Sequence, residues 1–600
     1  MENQSPPLLL RIPTPSKQSL SFCNATPRDL NRWLADLPKA NTGETARLLY
    51  QALVELNQLD ISADDRMRLL ELIRPEVYFI CRSLERYFLN KPIMLEERAR
   101  KVANLCQALQ SHLATGYKLV IAEALHNPAR DKGQLLAAAL QRATHSLCLP
   151  LIRACQLYCP VPEGLWQELH QLYQLAVRHR LEQSPVRDSL TRHGQSTTVQ
   201  RTYSVALLLG CAQTNQMRQS SIAPLADVLE SWSPLLVLQA AQLPSSLYAV
   251  DPLQDAPPRY RSLYKAEEIP ALLGIDTQRL VDAIQQYLLL PEQPNNSSAL
   301  EVPEGFNLDL LQHLGAAWGE IAERTFQRNP GQGTLTLCIG MSAAHFYLAG
   351  ERSFQDLLRS EDDLKSATFK QTHVTDVWAG AFDAQQIDWE DGLALSDIQY
   401  GGESSDTQQQ NAAPEPAEAY PTYALPVVNQ SPGGYCLSWL KEVPAQLQAG
   451  ELLAIQDTVQ SSWRVALVRW IRQVRGGGTQ MGIELIAPSA QPCGLKLLRK
   501  GDPSSQFLRA LQLPAIEAIS QPANLITPRL PFQQGNKVLI NINGVESKAV
   551  LGRRHSSSGS FNQFEFHLID EPAAAQTPAK PRKEPGLGGD EDFDSLWNSL

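Results

Sequence analysis

Trp463-Arg-Val-Ala-Leu-Val-Arg-Trp-Ile471 and, shortly after it, Gln480-Met-Gly-Ile-Glu-Leu-Ile486 decide how the second half of this 600-residue chain reads. Both carry apolar residues repeating with a period near two, the pattern of strands with one buried face. Thr334-Leu-Thr-Leu-Cys-Ile339 and Tyr435-Cys-Leu-Ser-Trp439 read the same way, so a β domain is expected from residue 334 onward. A polar interval at about 351–425 separates them. Its end, Gly401-Gly-Glu-Ser-Ser-Asp-Thr-Gln-Gln-Gln-Asn-Ala-Ala-Pro-Glu-Pro416, offers no apolar face and has the composition of a disordered loop. It reads as an insertion inside one domain.

Upstream, the period is 3.6. Val102, Leu105, Leu109 and Leu113 form one apolar stripe, and Leu165, Leu169, Leu172 and Ala176 form another. Pro75, after an apolar run, is expected to open a helix from its first turn. An all-α domain is therefore expected over 25–290, behind a flexible N-terminus at 1–24, with a less regular stretch at 240–290 and a short helix around 276–289. Pro291-Glu-Gln-Pro-Asn-Asn-Ser-Ser298 marks a linker at 291–305. A lead-in helix from Leu308 to about Ala322 opens the β domain, which is assigned 306–498. A second, smaller β module follows at 499–570. There Lys537-Val-Leu-Ile-Asn-Ile542 and Ser547-Lys-Ala-Val-Leu551 flank the hairpin dipeptide Asn543-Gly544, and Phe561–Leu568 adds a third strand.

Composition narrows the function classes. A formal net charge of −10 disfavours long nucleic acid as a partner, whereas a small anion needs only a few arginines. No run of 18 apolar residues suggests a membrane span, and the N-terminus lacks the basic start of a secretory signal. The ten cysteines form no CxxC pair and sit mostly in apolar helical text, which fits reduced thiols in a cytoplasmic protein and no metal site. Phosphate-loop, HExxH and GxGxxG motifs are missing. Ser342, in Gly340-Met-Ser-Ala-Ala344, lacks the second glycine of a nucleophile elbow, and His345 reads as a structural hydrogen-bonder. An enzyme is not indicated.

One constellation points to a ligand. Arg324-Thr-Phe-Gln-Arg328 sets two guanidinium groups four residues apart just before the first strand, and Asn429-Gln-Ser431-Pro-Gly-Gly434 precedes Tyr435. Paired arginines grip phosphate oxygens bidentately and can address the O6/N7 edge of guanine. An Asx/Ser turn with glycines lets small groups approach a base closely. Together they describe a site for a guanine-bearing, phosphate-rich ligand.

The order RxxxR, [D/N]xSxxG, then Val468-Arg469-Trp470 and Gly482-Ile-Glu-Leu485 resembles the PilZ domain, a family of bacterial cyclic di-GMP receptors. The resemblance covers about 170 residues. It implies a six-stranded antiparallel β-barrel with a C-terminal helix, and places Arg324 and Arg328 on a segment wrapping the ligand. It also places Asn429 and Ser431 on a guanine, with Gly434 completing the motif. Asn429 stands where the family more often has Asp, and roughly 100 residues separate Arg328 from Asn429 where compact members have a few dozen. The fold class is thus multidomain α + β: an all-α N-terminal domain, a PilZ-like barrel with a long insertion, a smaller β module and a disordered tail. The resemblance implies a cytoplasmic effector that binds cyclic di-GMP and passes the signal to a protein partner. Its layout resembles effectors of surface attachment and type IV pili. The alternative is a ligand-independent scaffold working through its helical domain.

The tail, 571–600, ends in Asp590-Glu-Asp-Phe-Asp-Ser-Leu-Trp-Asn-Ser-Leu600. Phe593, Leu596, Trp597 and Leu600 fall on one face if it coils, which suits either a frayed acidic end or a recognition peptide that folds into a partner's groove.

Overall fold

The computed structural model describes residues 10–126, 133–190, 196–289, 300–304, 306–319, 327–359, 420–440, 442–457, 461–475, 477–498, 506–515 and 522–569. Helices α1 (Pro27–Ala35), α2 (Thr42–Gln58), α3 (Ala63–Leu84), α4 (Glu97–His126), α5 (Gly133–Gln156), α6 (Leu165–Arg178), α7 (Val199–Cys211) and α8 (Gln219–Trp232) come first. Their starts are written locally. The side chains of Thr26, Asn41, Ser62 and Thr198 accept hydrogen bonds from the backbone amides of Asp29, Glu44, Asp65 and Arg201. Each satisfies a donor that has no partner within its helix. Leu109, Leu113, Leu169 and Leu172 from the two stripes are all in the core.

Pro75 corrects one expectation. It lies inside α3 instead of opening a helix. The missing N–H costs one rung of the helix, but Leu70, Ile73, Val77 and Ile80, all buried, hold both halves against the same core. Among the described residues, α5 is long and apolar enough to cross a membrane by length and composition. Here it packs inside the bundle and carries the buried Arg142 and Arg153.

The region is also not purely helical. Strands β1 (Val186–Arg187) and β2 (Ser196–Thr197) pair, and β3 (Val237–Ala240), β4 (Tyr248–Val250), β5 (Arg259–Tyr260) and β6 (Leu273–Asp276) form a sheet of order β3-β6-β4-β5. The stretch that looked irregular is this sheet followed by α9 (Gln278–Leu289). Helix α10 (Leu308–Gly319), expected to lead into the barrel, packs instead on the helical core through Leu311, Leu314 and Trp318. The Trp318 indole donates to the Leu208 carbonyl at 3.3 Å. Leu300 is buried as well, so the described end of the expected linker is packed. The rest of that linker, 291–299 and 305, lies outside the described residues, as do 290 and 320–326.

The first barrel uses β7 (Asn329–Pro330), β8 (Thr334–Ile339), helices α11 (Met341–Leu348) and α12 (Phe354–Leu357), then β9 (Tyr423–Ser431), β10 (Gly434–Trp439), β11 (Leu452–Gln456), β12 (Arg464–Gln473) and β13 (Thr479–Ala487). Six strands close antiparallel in the order β8-β9-β10-β13-β12-β11, with β7 extending β8 along β9. β8 and β9 are neighbours although residues 340–422 separate them. Leu335, Leu437, Val468, Met481 and Ile483 fill the interior, joined by Ile93 and Tyr158 from the helical region. The C-terminal helix implied by the family does not appear among the described residues, because the chain runs from β13 straight into β14.

The last module is itself a full barrel. β14 (Gln491–Leu497), β15 (Leu508–Leu513), β16 (Asn524–Pro528), β17 (Lys537–Ile542), β18 (Val545–Ser557) and β19 (Phe561–Leu568) close in the order β14-β15-β16-β19-β18-β17. It is larger than the expected module and starts at Gln491, ahead of residue 499. The Asn543-Gly544 turn has φ of 50° and 83°, the pair of positive values that a tight hairpin needs. His345 of α11 reaches across to the Cys493 carbonyl on β14 at 3.2 Å, the structural hydrogen bond expected of it. All ten cysteines are unbridged. The tail residues Phe593, Leu596, Trp597 and Leu600 lie outside the described residues, as does 401–416.

Candidate ligand-binding site

Asn429 and Ser431 do not sit in a turn, as the spacing suggested. They are the end of strand β9, and only Pro432-Gly433 make the turn into β10. Gly434 pairs with Ser431, whose hydroxyl donates to the Gly434 carbonyl at 3.3 Å. Gly434 is required by close approach: a Cβ there would lie 2.0 Å from the Ile483 carbonyl oxygen of β13. The glycine lets the hairpin lie flat on its neighbour.

A register shift between Cys436 and Leu437 leaves Val428 without a cross-strand partner. Beyond this bulge the alternation of β9 inverts, so Asn429 and Ser431 share the outer face of the barrel with Cys436. A second bulge, between Val468 and Trp470 on β12, does the same for Trp470. Asn429 pairs with Cys436, Cys436 with Gly482, and Gly482 with Trp470. One continuous outer row therefore crosses four strands from Asn429 to Trp470.

The arginines flank this row. Asn329 pairs with Gln430 and Pro330 with Asn429, so the next residue back, Arg328, stands level with Ser431 and is exposed. Burial pushes the Cys436 thiol up, and the charges of Arg472 and Arg328 both reach it and oppose that shift. Arg472 lies over the Trp470 ring at 5.2 Å and donates to Gln480 Oε1 at 2.8 Å. Arg469 pairs with Glu484. At the rim, Arg464 bonds Asp457 at 2.5 Å and the Tyr435 hydroxyl at 3.2 Å. Arg328, Asn429, Ser431 and Gly434 are thus together. Arg324 lies outside the described residues.

Trp470 and Arg472 stand on this face as well, although the Val-Arg-Trp text read only as a strand. Chemically, the face offers a cation beside small polar groups and a half-buried indole, a combination suited to a phosphate-bearing ligand with a stacking base. Among the described residues, no group of three or more His, Cys, Asp or Glu could hold a metal ion.

Comparison with known proteins assigns all three parts of the chain. Residues 28–244 match "Cyclic-di-GMP receptor FimW, N-terminal domain", 247–492 match "Cyclic-di-GMP receptor FimW, middle PilZ domain", and 493–569 match "FimW C-terminal beta-barrel domain". The chain is also 58% identical over 610 aligned residues to a cyclic-di-GMP receptor FimW of Pseudomonas aeruginosa, with all of both chains covered. The chain belongs to the FimW family of cyclic-di-GMP receptors. In this FimW-family chain the middle PilZ match contains the first barrel and the outer row just described, and the third match begins within β14. No solved structure matches the chain.

Proposed function

We propose that this chain is a non-enzymatic effector that binds cyclic di-GMP on the outer face of its first barrel. The supporting observation is the outer row itself: two bulges bring Asn429, Ser431 and Trp470 to one face, with Arg328 at its edge. Arg328, with Arg324 of the same motif, grips the phosphates and one guanine edge. Asn429 and Ser431 hydrogen-bond a guanine, and the Trp470 ring stacks on a base while Arg472 keeps that ring in place.

The signal passes to a protein partner in the cytoplasm, where the ten reduced thiols are at home. The helical region is close to the site in mechanical terms. Gln473, the residue after Arg472, donates its backbone amide to the Tyr158 carbonyl at 2.7 Å and its side chain to the Ile93 carbonyl at 2.7 Å. Movement of β12 on binding therefore reaches the helices directly. The acidic and aromatic tail with Phe593, Leu596, Trp597 and Leu600 is a second partner contact, and the biological setting is surface attachment through type IV pili. Fluorescence titration of the full chain with cyclic di-GMP, with GMP as control, tests the reading. Saturable quenching by cyclic di-GMP alone, lost in Trp470→Phe together with Arg328→Ala, supports it. No response would leave a scaffold working through its helical surface.

A further inference from the structure

The two barrels and the helical region enclose a cavity of about 970 Å³ where they meet. It is not the face described above. The cavity is lined by Gly340, just past the end of β8, and by the 445–451 loop that follows β10, whereas Ser431 and Gly434 lie at the opposite end of these strands. Lys91 and Arg218 come from the helical region, Glu451 from the first barrel, and Arg529, Arg554 and Ser560 from the second.

The charges do not balance. Arg218 bonds Glu451 at 3.1 Å and also meets the Ser560 hydroxyl. Its Nε is buried without a hydrogen-bond partner. Burial and the nearby charge of Arg529 both press its guanidinium toward losing its proton, against the pull of Glu451. Arg529 and Arg554 share a single carboxylate, Asp309, each at 3.7 Å. That separation is well beyond the roughly 2.7–2.9 Å of a committed charged hydrogen bond. Asp309 is further occupied by the Ser557 hydroxyl at 2.8 Å. Four cations thus face two carboxylates: Arg218 is largely enclosed, while Lys91, Arg529 and Arg554 stay accessible to water and to a ligand at the mouth of the space.

A ligand carrying two or more negative charges would resolve that imbalance. The space lies at the upper end of small-molecule sites, roughly 300–1,000 Å³, and is far larger than a single phosphate needs. Much of the remaining polar wall is glutamine and asparagine, which can both donate to and accept from a base edge. We propose that this three-way junction is a second ligand site, taking a nucleoside di- or triphosphate, whose phosphates bridge Arg218, Arg529 and Arg554. A ligand there touches all three parts of the chain, so its occupancy holds them in one arrangement.

Equilibrium dialysis of the full chain with GTP, ATP and inorganic pyrophosphate tests this, run with excess cyclic di-GMP present so that the first site is filled. The proposal predicts saturable uptake of GTP or ATP by the wild type. It predicts affinity at least about tenfold lower in the double variant Arg529→Gln/Arg554→Gln and measurably lower in Lys91→Gln, with Arg328→Ala unchanged. Lys91 is exposed, so its variant keeps the test meaningful if the double variant folds poorly. No saturable uptake, uptake of equal affinity in all variants, or uptake abolished by cyclic di-GMP and by Arg328→Ala would each overturn it.

Discussion

The indole of Trp470 lies directly over Gly482 on the neighbouring strand: a Cβ at position 482 would come within 2.0 Å of Trp470 Nε1. The bare backbone of the glycine is thus the seat for the ring that the proposed site uses as a stacking surface. Gly482→Ala should tilt the ring off its seat. The expected result is about tenfold weaker cyclic di-GMP binding and about 1–3 kcal/mol less stability, read by titration and urea unfolding with tryptophan fluorescence.

Arg328 is exposed at the end of β7, so its removal should not touch the core. Arg328→Ala should weaken cyclic di-GMP binding by about ten- to a hundredfold with an unchanged unfolding midpoint. Arg328→Lys should recover little, since an ammonium lacks the planar fork of guanidinium. Arg324→Ala, in the same motif, is expected to match it. Circular dichroism alongside titration separates lost binding from lost fold.

The strands of the barrels were legible where alternation was clean. Thr334–Ile339 and Lys537–Ile542 begin and end where the period-two pattern does, and Phe561–Leu568 was legible from its aromatic content although Phe561 is out of phase with Phe564, Phe566 and Leu568. Strand β11, Leu-Leu-Ala-Ile-Gln, is buried on both faces and has no alternation to read. Strands β9, β14 and β16 carry Pro426, Pro492 and Pro528, which argue locally against a strand. Of the residues on the proposed binding face, spacing singled out Arg328, Asn429, Ser431 and Gly434 but not Trp470. Its outward direction depends on a bulge, and a bulge is a matter of pairing between strands that no single strand records. Pro75 misled for the opposite reason, because a buried helix tolerates the lost rung when both its halves face one core.

Buried histidines predict acid sensitivity. Burial first, and the Arg509 charge second, push His345 down to about 3, against a hydrogen bond to Cys493 that favours the proton. The unfolded chain protonates this group below its ordinary 6.5, while the folded chain does so only near 3. Stability should therefore fall as pH drops from about 6.5 toward 3, by at most about 1.4 kcal/mol per unit for this residue. His145 and His170, each held down to about 4 by burial, act in the same direction. Urea midpoints at pH 7, 6 and 5 should decline less steeply in His345→Gln, which keeps a donor for Cys493 but does not titrate.

The helical region rests on a buried ion network. Asp188 bonds Arg74 Nη2 at 2.8 Å and Arg142 Nη1 at 2.9 Å, all three side chains being almost inaccessible. Asp188→Ala leaves two buried guanidinium groups short of their counter-charge and should destabilise this region by about 3–5 kcal/mol. A thermal scan that shows the loss in the helical transition, with cyclic di-GMP affinity retained at low temperature, is the expected outcome.

β8 and β9 pair directly, so the barrel does not need residues 401–416 to bring its strands together. A chain lacking them should bind cyclic di-GMP as the full chain does and unfold with the same cooperativity. Loss of the barrel transition would show that the insertion carries structure the barrel depends on.

Isothermal titration of the full chain with cyclic di-GMP, beside Arg328→Ala and Trp470→Ala, tests the central claim most directly. The outer-face site predicts saturable heat for the wild type and affinity about tenfold or more lower in each variant, with both variants folded. Wild-type affinity in both variants, or no heat at all with the unaltered chain, would contradict it.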